Sequence, residues 1–293
     1  MPVLRRYPAT YARTAVESRR LRDDLAGVRS FLMFVGHPRS GHSLVGALLD
    51  AHPNMLVAHE LDVLKYVEAG FRRDQLFVLL LRQQQARVAT GHVSSTGYAY
   101  AVPGQWQGRY ERLEVIGDKK GGRSTLRLEE QPELLDRLAD RVDAPIRVVQ
   151  VVRNPYDNIA TMHRRAPKVP LADHAAMYFR LAATADAVRE HVGAAQFHEV
   201  HLEDLTAEPA DVLRGLCAFL DVSADHSYLG ACASIVYFSP RQTRGNAPWT
   251  PALRDTVAAR MADHPALRRY LSDDEGGPAA TTMPAPSGGT STP

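Results

Sequence analysis

The run Gly36-His37-Pro38-Arg39-Ser40-Gly41-His42-Ser43 sets a glycine on either side of a short polar stretch that holds a guanidinium and is followed by a second hydroxyl. Where a strand passes into a helix, such a run offers an anion several unpaired backbone N–H groups and the positive end of the helix dipole. Its spacing is that of the phosphate loop G-x-x-x-x-G-K-[ST], except that His42 stands at the lysine position. A nucleotide triphosphatase needs that lysine for its terminal phosphates and a carboxylate for magnesium. Here the longest apolar strand pattern ends in Arg153 rather than an aspartate, and Val115-Ile116-Gly117-Asp118 is a poor metal strand beside Lys119-Lys120. These residues predict a phosphate-bearing ligand with fewer charges than a triphosphate and no required metal. A glycine-rich turn that merely caps a helix is the plainer alternative.

A second anion-binding candidate is Arg153-Asn154-Pro155-Tyr156-Asp157. Arg153 should emerge where the strand Ile146 to Val152 ends, at the sheet edge where open α/β folds bind ligands. Pro155 suits the first turn of the next helix. Thr161, eight residues after Arg153 on that helix, would lend a hydroxyl to the same anion if the turn folds back. One arginine and one hydroxyl suit a terminal phosphate monoester. A sheet-edge salt bridge and an ordinary helix surface would use the same residues.

The elements that must position these groups follow from periodicity. Ser30 to Val35 predicts a strand running directly into the Gly36–Ser43 loop and a helix through Leu44, Leu48 and Leu49. Met55 to Ala58 reads as a second strand, with helices over Asp62 to Ala69 and Asp74 to Ala89. Leu113 to Gly117 predicts a strand, Thr125 to Leu138 a helix, and Ile146 to Val152 a β-branched strand covered on both faces. Helices over Tyr156 to Arg165 and Leu171 to Val192, a strand over Phe197 to Leu202 and a helix over Pro209 to Leu220 complete the alternation. Strands alternating with helices predict an α/β fold: a central parallel sheet flanked by helices, a three-layer sandwich of the P-loop nucleotide-binding kind. Ser94 to Tyr110 instead carries Tyr98, Tyr100, Trp106 and Tyr110 among Gly and Pro, which suits a loop or lid. Its rings fit an acceptor pocket and a core equally well.

Composition bounds the rest. With 293 residues, 45% of them hydrophobic, the chain can bury a sizeable core, read as one domain over 1–272. Residues 273–293 are mostly Asp, Gly, Pro, Ala, Ser and Thr with little to bury and are expected to be disordered. A formal net charge of +2 supplies no global positive field for nucleic acid. No apolar run approaches the roughly 18 residues of a membrane span, and the first residues lack a signal peptide's apolar run. Only Cys217 and Cys232 are present, which fits a reducing compartment, read here as the cytoplasm.

Together the two anion-binding segments resemble the signature of the sulfotransferase family, whose donor is 3′-phosphoadenosine-5′-phosphosulfate (PAPS). Pro38-Arg39-Ser40-Gly41-His42-Ser43 is similar to the family's 5′-phosphosulfate loop, with Arg39 where many cytosolic members have lysine. Arg153-Asn154-Pro155-Tyr156-Asp157 through Thr161 resembles its 3′-phosphate segment, with threonine where serine is usual. His201-Leu202-Glu203-Asp204-Leu205, Pro209 and Phe219-Leu220-Asp221-Val222 extend the likeness, and Arg241-Gln242-Thr243-Arg244-Gly245 followed by Trp249 resembles a diverged form of the basic loop that closes on the 3′-phosphate. The resemblance implies a nucleotide site of Gly36, Pro38, Arg39, Ser40, Gly41, His42, Ser43, Arg153, Thr161, Arg244 and Gly245. It also implies transfer of a sulfuryl group to a hydroxyl or amine of a small-molecule or glycan acceptor. Arg39 and Lys119 would meet the charge growing on the leaving oxygen, with Lys120 the neighbouring alternative. In tyrosylprotein and several bacterial sulfotransferases the base is a glutamate after the second strand, which points to Glu60. The histidine of cytosolic members would fall near Gly121-Gly122. A kinase or nucleotide hydrolase with an aberrant loop, and a nucleotide-binding protein without catalysis, are the competing functions.

Overall fold

Ser30-Phe31-Leu32-Met33-Phe34-Val35-Gly36 is apolar at successive positions, so as a strand it needs cover on both faces. In the computed structural model, which describes residues 6–91, 98–237 and 240–274, this segment is β1 (Ser30–Gly36) and every residue of it is buried. β2 (Met55–His59), β3 (Val115–Lys119), β4 (Ile146–Val152) and β5 (Phe197–His201) join it in one five-stranded sheet of order β2-β3-β1-β4-β5. All four pairings are parallel. Side chains alternate across the sheet as the pleat requires. Phe31, Met33 and Val35 join one apolar cluster, while Leu32 and Phe34 join the other.

The helices supply the outer layers. On one face lie α3 (His42–Asp50), α11 (Pro209–Phe219) and α12 (His226–Ser234), packed through Leu48, Leu216 and Leu229. The opposite cluster takes Leu64 of α4 (Val63–Glu68), Phe77 of α5 (Arg73–Ala89), Leu128 of α6 (Gly121–Glu130) and Leu138 of α7 (Leu134–Val142). A third cluster packs Ile159 of α8 (Pro155–Arg165) and Phe179 of α9 (Leu171–Val192) against Val257 of α13 (Pro251–Met261). α1 (Pro8–Arg20), α2 (Arg22–Ala26) and α10 (Leu202–Ala207) complete the set, and the α/β three-layer architecture expected from the alternation is present. Among the described residues no helix is long and apolar enough to cross a membrane.

Three local expectations need correction. The single helix over Thr125 to Leu138 is two, α6 and α7, because Pro132 lacks a backbone donor and disfavours helix before it. β3 starts and ends two residues later than expected: Asp118 and Lys119 look like a polar strand exit but are 1% and 3% exposed, their charges met inside the fold. α1, α12 and α13 were not anticipated, since their apolar positions are few or lack regular spacing. The expected disordered stretch 273–293 lies outside the described residues from 275 onward.

β3 can reach β1 closely because Gly117 has no side chain. An ideal Cβ there would lie 2.4 Å from the Leu32 carbonyl oxygen, a backbone atom of the neighbouring strand that cannot swing away. Gly117→Ala should therefore destabilise the fold by about 1–3 kcal/mol or more, read as a lower urea midpoint at unchanged slope. An unchanged midpoint would show that β1 and β3 separate freely.

Candidate active site

Five parallel strands deliver five loops to one edge, and a cavity of about 530 Å³ lies along it. That volume is in the range of nucleotide-sized ligand sites. Pro38, Arg39, Gly41, His42 and Ser43 line it from the turn after β1, and Arg153 and Thr161 from the turn and helix after β4. Because β1 and β4 are neighbours, these two groups, each with an arginine, open into the same space. Glu60 enters after β2, Lys119 and Lys120 at the end of β3, and Leu202 and Thr206 from α10 after β5. This is the crevice at the switch point of a parallel sheet, since the chain leaves β1 toward β2 and β3 and returns to add β4 on the other side.

The loop after β1 turns through left-handed backbone. Gly36, Arg39 and Gly41 all have positive φ, at 110°, 72° and 113°. Gly41 then precedes the first turn of α3. Gly36 and Ser40 do not line the cavity: Gly36 N–H donates to Thr125 Oγ1 at 2.8 Å, and the Ser40 hydroxyl donates to the His37 carbonyl at 3.0 Å. They shape the loop from behind. His37 is stacked on Tyr178 with ring centroids 3.7 Å apart, and burial lowers its pKa to about 3. The Arg39 guanidinium, by contrast, has no hydrogen-bond or ionic partner among the described residues and lines the cavity.

His42 does not do a phosphate-loop lysine's work. Its Nε2 lies 3.0 Å from the Val35 carbonyl oxygen, back toward β1, and burial, aided by the Lys119 charge, lowers its pKa to about 4. The ring is neutral and structural. The cation comes instead from the adjacent strand: Lys119 Nζ donates to Ser43 Oγ at 3.0 Å and to Glu60 Oε1 at 2.9 Å. His42 also explains Gly121, where a Cβ would lie 2.4 Å from its ring, and Pro38 explains Gly122, where a Cβ would lie 2.8 Å from the Pro38 Cγ. No histidine fits there.

Glu60 is held by its surroundings. Its own φ is +60° and that of Asp62 is +65°, left-handed values that cost energy in a residue with a side chain. The turn survives because Asp118, buried beneath it, accepts from the Leu61 and Val63 amides at 3.0 and 2.7 Å. Arg127 clasps Asp62 through two bonds of 2.7 and 2.8 Å. Asp118 is thereby committed to backbone, which removes the best carboxylate for a magnesium site on this strand. Burial raises the Glu60 carboxyl pKa, but the ammonium groups of Lys119 and Lys120, the latter 3.2 Å from Oε2, outweigh it and hold the value at about 2.

At the other end, Arg153 follows β4 and is 6% exposed. Its Nη1 donates to Thr161 Oγ1 at 3.4 Å, its Nη2 to the Arg241 carbonyl, and its buried Nε has no partner among the described residues. Thr161 Oγ1 is 2.9 Å from Thr243 Oγ1, so the returning loop packs directly on α8. Asp157 is the clasp, accepting from the Thr243 and Arg244 amides at 2.6 and 2.8 Å and from Arg244 Nη2 at 2.9 Å. Arg244 and Gly245, expected to face the nucleotide, are therefore not among the cavity's lining residues, whereas Pro240 and Arg241 are. Arg164 and Arg165 at the end of α8 and Arg123 in α6 also line it and carried no signal in the sequence, where isolated arginines look like solvated surface. Of the aromatic segment, Tyr98 and Tyr100 reach the cavity together with Tyr237; Trp106 and Tyr110 do not, and 94–97 lies outside the described residues.

The fold is a three-layer α/β sandwich of the P-loop-like kind, with basic groups from the turns after β1 and β4 opening into one cavity. Residues 133–226, which contain Arg153, Thr161 and Glu203, match the model of the sulfotransferase family. Among solved structures, the sulfotransferase domain from the curacin biosynthetic pathway is similar at 16% identity, covering 80% of this chain and 98% of that one with a TM-score of 0.51. The sulfotransferase domain of the Synechococcus PCC 7002 olefin synthase is 20% identical over 79% of this chain and 88% of that one, TM-score 0.47. Mouse sulfotransferase SULT7A1, solved with PAP, is 12% identical over 88% and 95%, TM-score 0.43. No curated protein matches. The matched stretch contains the second of the two segments whose residues resemble that family's signature.

The Glu60 pair fixes a pH dependence. A carboxyl whose folded value, about 2, lies below its ordinary value of 4.5 stabilises the fold above pH 4.5 and loses that contribution as pH falls toward 2. Urea midpoints of the wild type and Glu60→Gln, compared from pH 6 to pH 3, should converge as pH falls. A constant difference would mean that the lysines do not hold the carboxylate.

Proposed function

We propose that this chain moves a sulfuryl group from PAPS to a hydroxyl or amine of a small-molecule or glycan acceptor. The observation that carries the proposal is that Arg39 and Arg153 line one cavity from adjacent strands, so one nucleoside bearing phosphate at both its 5′ and 3′ positions can meet both. The donor set fits: a glycine-flanked loop with the Arg39 guanidinium for the phosphosulfate, and a buried Arg153 plus the Thr161 hydroxyl for the 3′-phosphate, Arg39 and the Arg153 Nε having no partner among the described residues. Leu202, Thr206 and Pro240 offer an apolar wall between them for the base. A kinase reading is disfavoured by His42 facing β1 and by Asp118 being bound to backbone amides.

In the reaction the acceptor oxygen attacks sulfur in line with the bond to the bridging oxygen. The S–O bond to the phosphate breaks, adenosine 3′,5′-bisphosphate departs, and the acceptor's proton goes to a base. Arg39, the loop amides and Lys119 are positioned for the charge that grows on the bridging oxygen, where a fixed cation costs no reorganisation. Glu60 is the base. Before the donor arrives its carboxylate is neutralised by Lys119, and a sulfuryl group that draws Lys119 toward itself returns basicity to Glu60 when it is needed. The buried, unpaired thiols of Cys217 and Cys232 fit a reducing compartment such as the cytoplasm.

Glu60→Gln should leave binding of adenosine 3′,5′-bisphosphate nearly intact while lowering turnover by about two to four powers of ten. Full turnover in that variant would remove Glu60 from the role. Arg153→Ala should weaken adenosine 3′,5′-bisphosphate far more than adenosine 5′-phosphate, measured by calorimetry. Equal losses would put Arg153 away from the 3′-phosphate. Thermal-shift titration with the bisphosphate against ATP and magnesium tests the donor class, since only the ligand of the native site stabilises by mass action.

A further inference from the structure

The cavity holds more positive charge than its donor needs, and the surplus is not spread evenly. On the β4 side Arg153, Arg164, Arg165 and Arg241 surround the end assigned to the 3′-phosphate, and at β1 Arg39 serves the phosphosulfate. Past β1 the remaining cations lie over β3, where Lys119 is required at the sulfuryl group. That leaves Lys120 and Arg123. Neighbouring strands are about 4.8 Å apart, so groups at the ends of β3 and β2 stand about 5 to 10 Å from β1, on the side away from the 3′-phosphate. This is the acceptor's side, because Glu60 is there.

The charge balance on that side is specific. Lys120 has Glu60 as its ionic partner at 3.2 Å, and Arg123, exposed at the cavity mouth, has no ionic partner among the described residues. With Lys120 paired to Glu60, Arg123 is the surplus positive charge on that side of the cavity. A surplus cation repels an ammonium group and attracts an acid. The facing wall is of another kind. Tyr98 stacks at an angle on Tyr100, with centroids 4.7 Å apart, and edge-on against Tyr237 at 5.0 Å, and all three line the cavity. Tyrosines in this arrangement present flat apolar area with hydroxyls at its rim, suited to a planar or sugar ring.

Resting on the PAPS-dependent reading above, we infer that the acceptor is an anion: a ring-bearing hydroxyl compound with an acidic group a few atoms from the accepting oxygen, its ring against Tyr98, Tyr100 and Tyr237 and its acid on Arg123 and Lys120.

The full chain loaded with adenosine 3′,5′-bisphosphate allows a test that does not depend on turnover. Binding of 4-hydroxyphenylacetate, 4-methylphenol and tyramine, matched in ring and hydroxyl but differing in charge, is measured by calorimetry and by transfer of labelled sulfuryl from PAPS. Affinity and kcat/KM should fall in that order, by about tenfold or more from anion to cation, the scale of one charge-assisted contact. Arg123→Gln should narrow the preference for the anion about tenfold while the bisphosphate still binds. Equal treatment of the three phenols, or an anion preference untouched in Arg123→Gln, overturns the inference while leaving sulfuryl transfer standing. Failure of the chain to bind the bisphosphate at all sinks the donor reading instead.

Discussion

Every strand of this sheet runs in the same direction, and helices cover both of its faces. The chain must therefore leave each strand at the same edge, and that edge is where backbone amides and polar side chains can meet a ligand without being buried against apolar neighbours. The phosphate-loop turn, Glu60, Lys119 and Arg153 are far apart in the chain and close in space for this single reason. Their order along the edge follows the strand order, so the site has a direction: carboxylate at β2, ammonium at β3, glycine-flanked loop at β1, guanidinium at β4.

Concentrating charge at one edge requires that each buried charge be satisfied, and the structure does this with carboxylates turned away from the cavity. Asp118 holds the backbone of the turn carrying Glu60, Asp62 holds Arg127 against it, and Asp157 gathers the 240–244 loop onto α8. Glu203 accepts the Asn154 amide at 2.9 Å and the Tyr270 hydroxyl at 2.6 Å, fixing the turn that presents Arg153. With these acids occupied behind the wall, Glu60 is the one carboxylate lining the cavity among the described residues. Lys119 and Lys120 pair with Glu60, and among the described residues the cavity's arginines Arg39, Arg123, Arg164, Arg165 and Arg241 have no carboxylate partner.

The replacement of lysine by histidine in the phosphate loop shows how a site can keep its electrostatics while moving their source. His42 became a neutral packing group between the loop, β1 and α6, and Lys119 reached Ser43 from the next strand. A cation at this edge can come from the neighbouring strand as well as from the loop. Gly121 is the consequence on the other side, since the room a side chain would need there is taken by the His42 ring.

Local sequence determined what depends on near neighbours. β1, β4 and α9 were legible within a residue or so, because their apolar runs leave no other way to bury them, and the turn Gly36–Ser43 and the Asn154-Pro155 helix start were legible because glycine and proline restrict the backbone where they stand. Glu60, Lys119 and Arg153 could be named as candidates from their places at strand ends. Only the tertiary structure decided what depends on groups distant in the chain: that Lys119 lies between Ser43 and Glu60, that Asp157 draws Arg244 off the cavity while Arg241 stays, and that Arg123, Arg164 and Arg165 join it. A lone arginine or lysine carries no mark of its partner in the sequence. Its role is set by which opposite charge the folded chain brings within a few ångströms, and that is a property of the sheet order, not of the residues beside it.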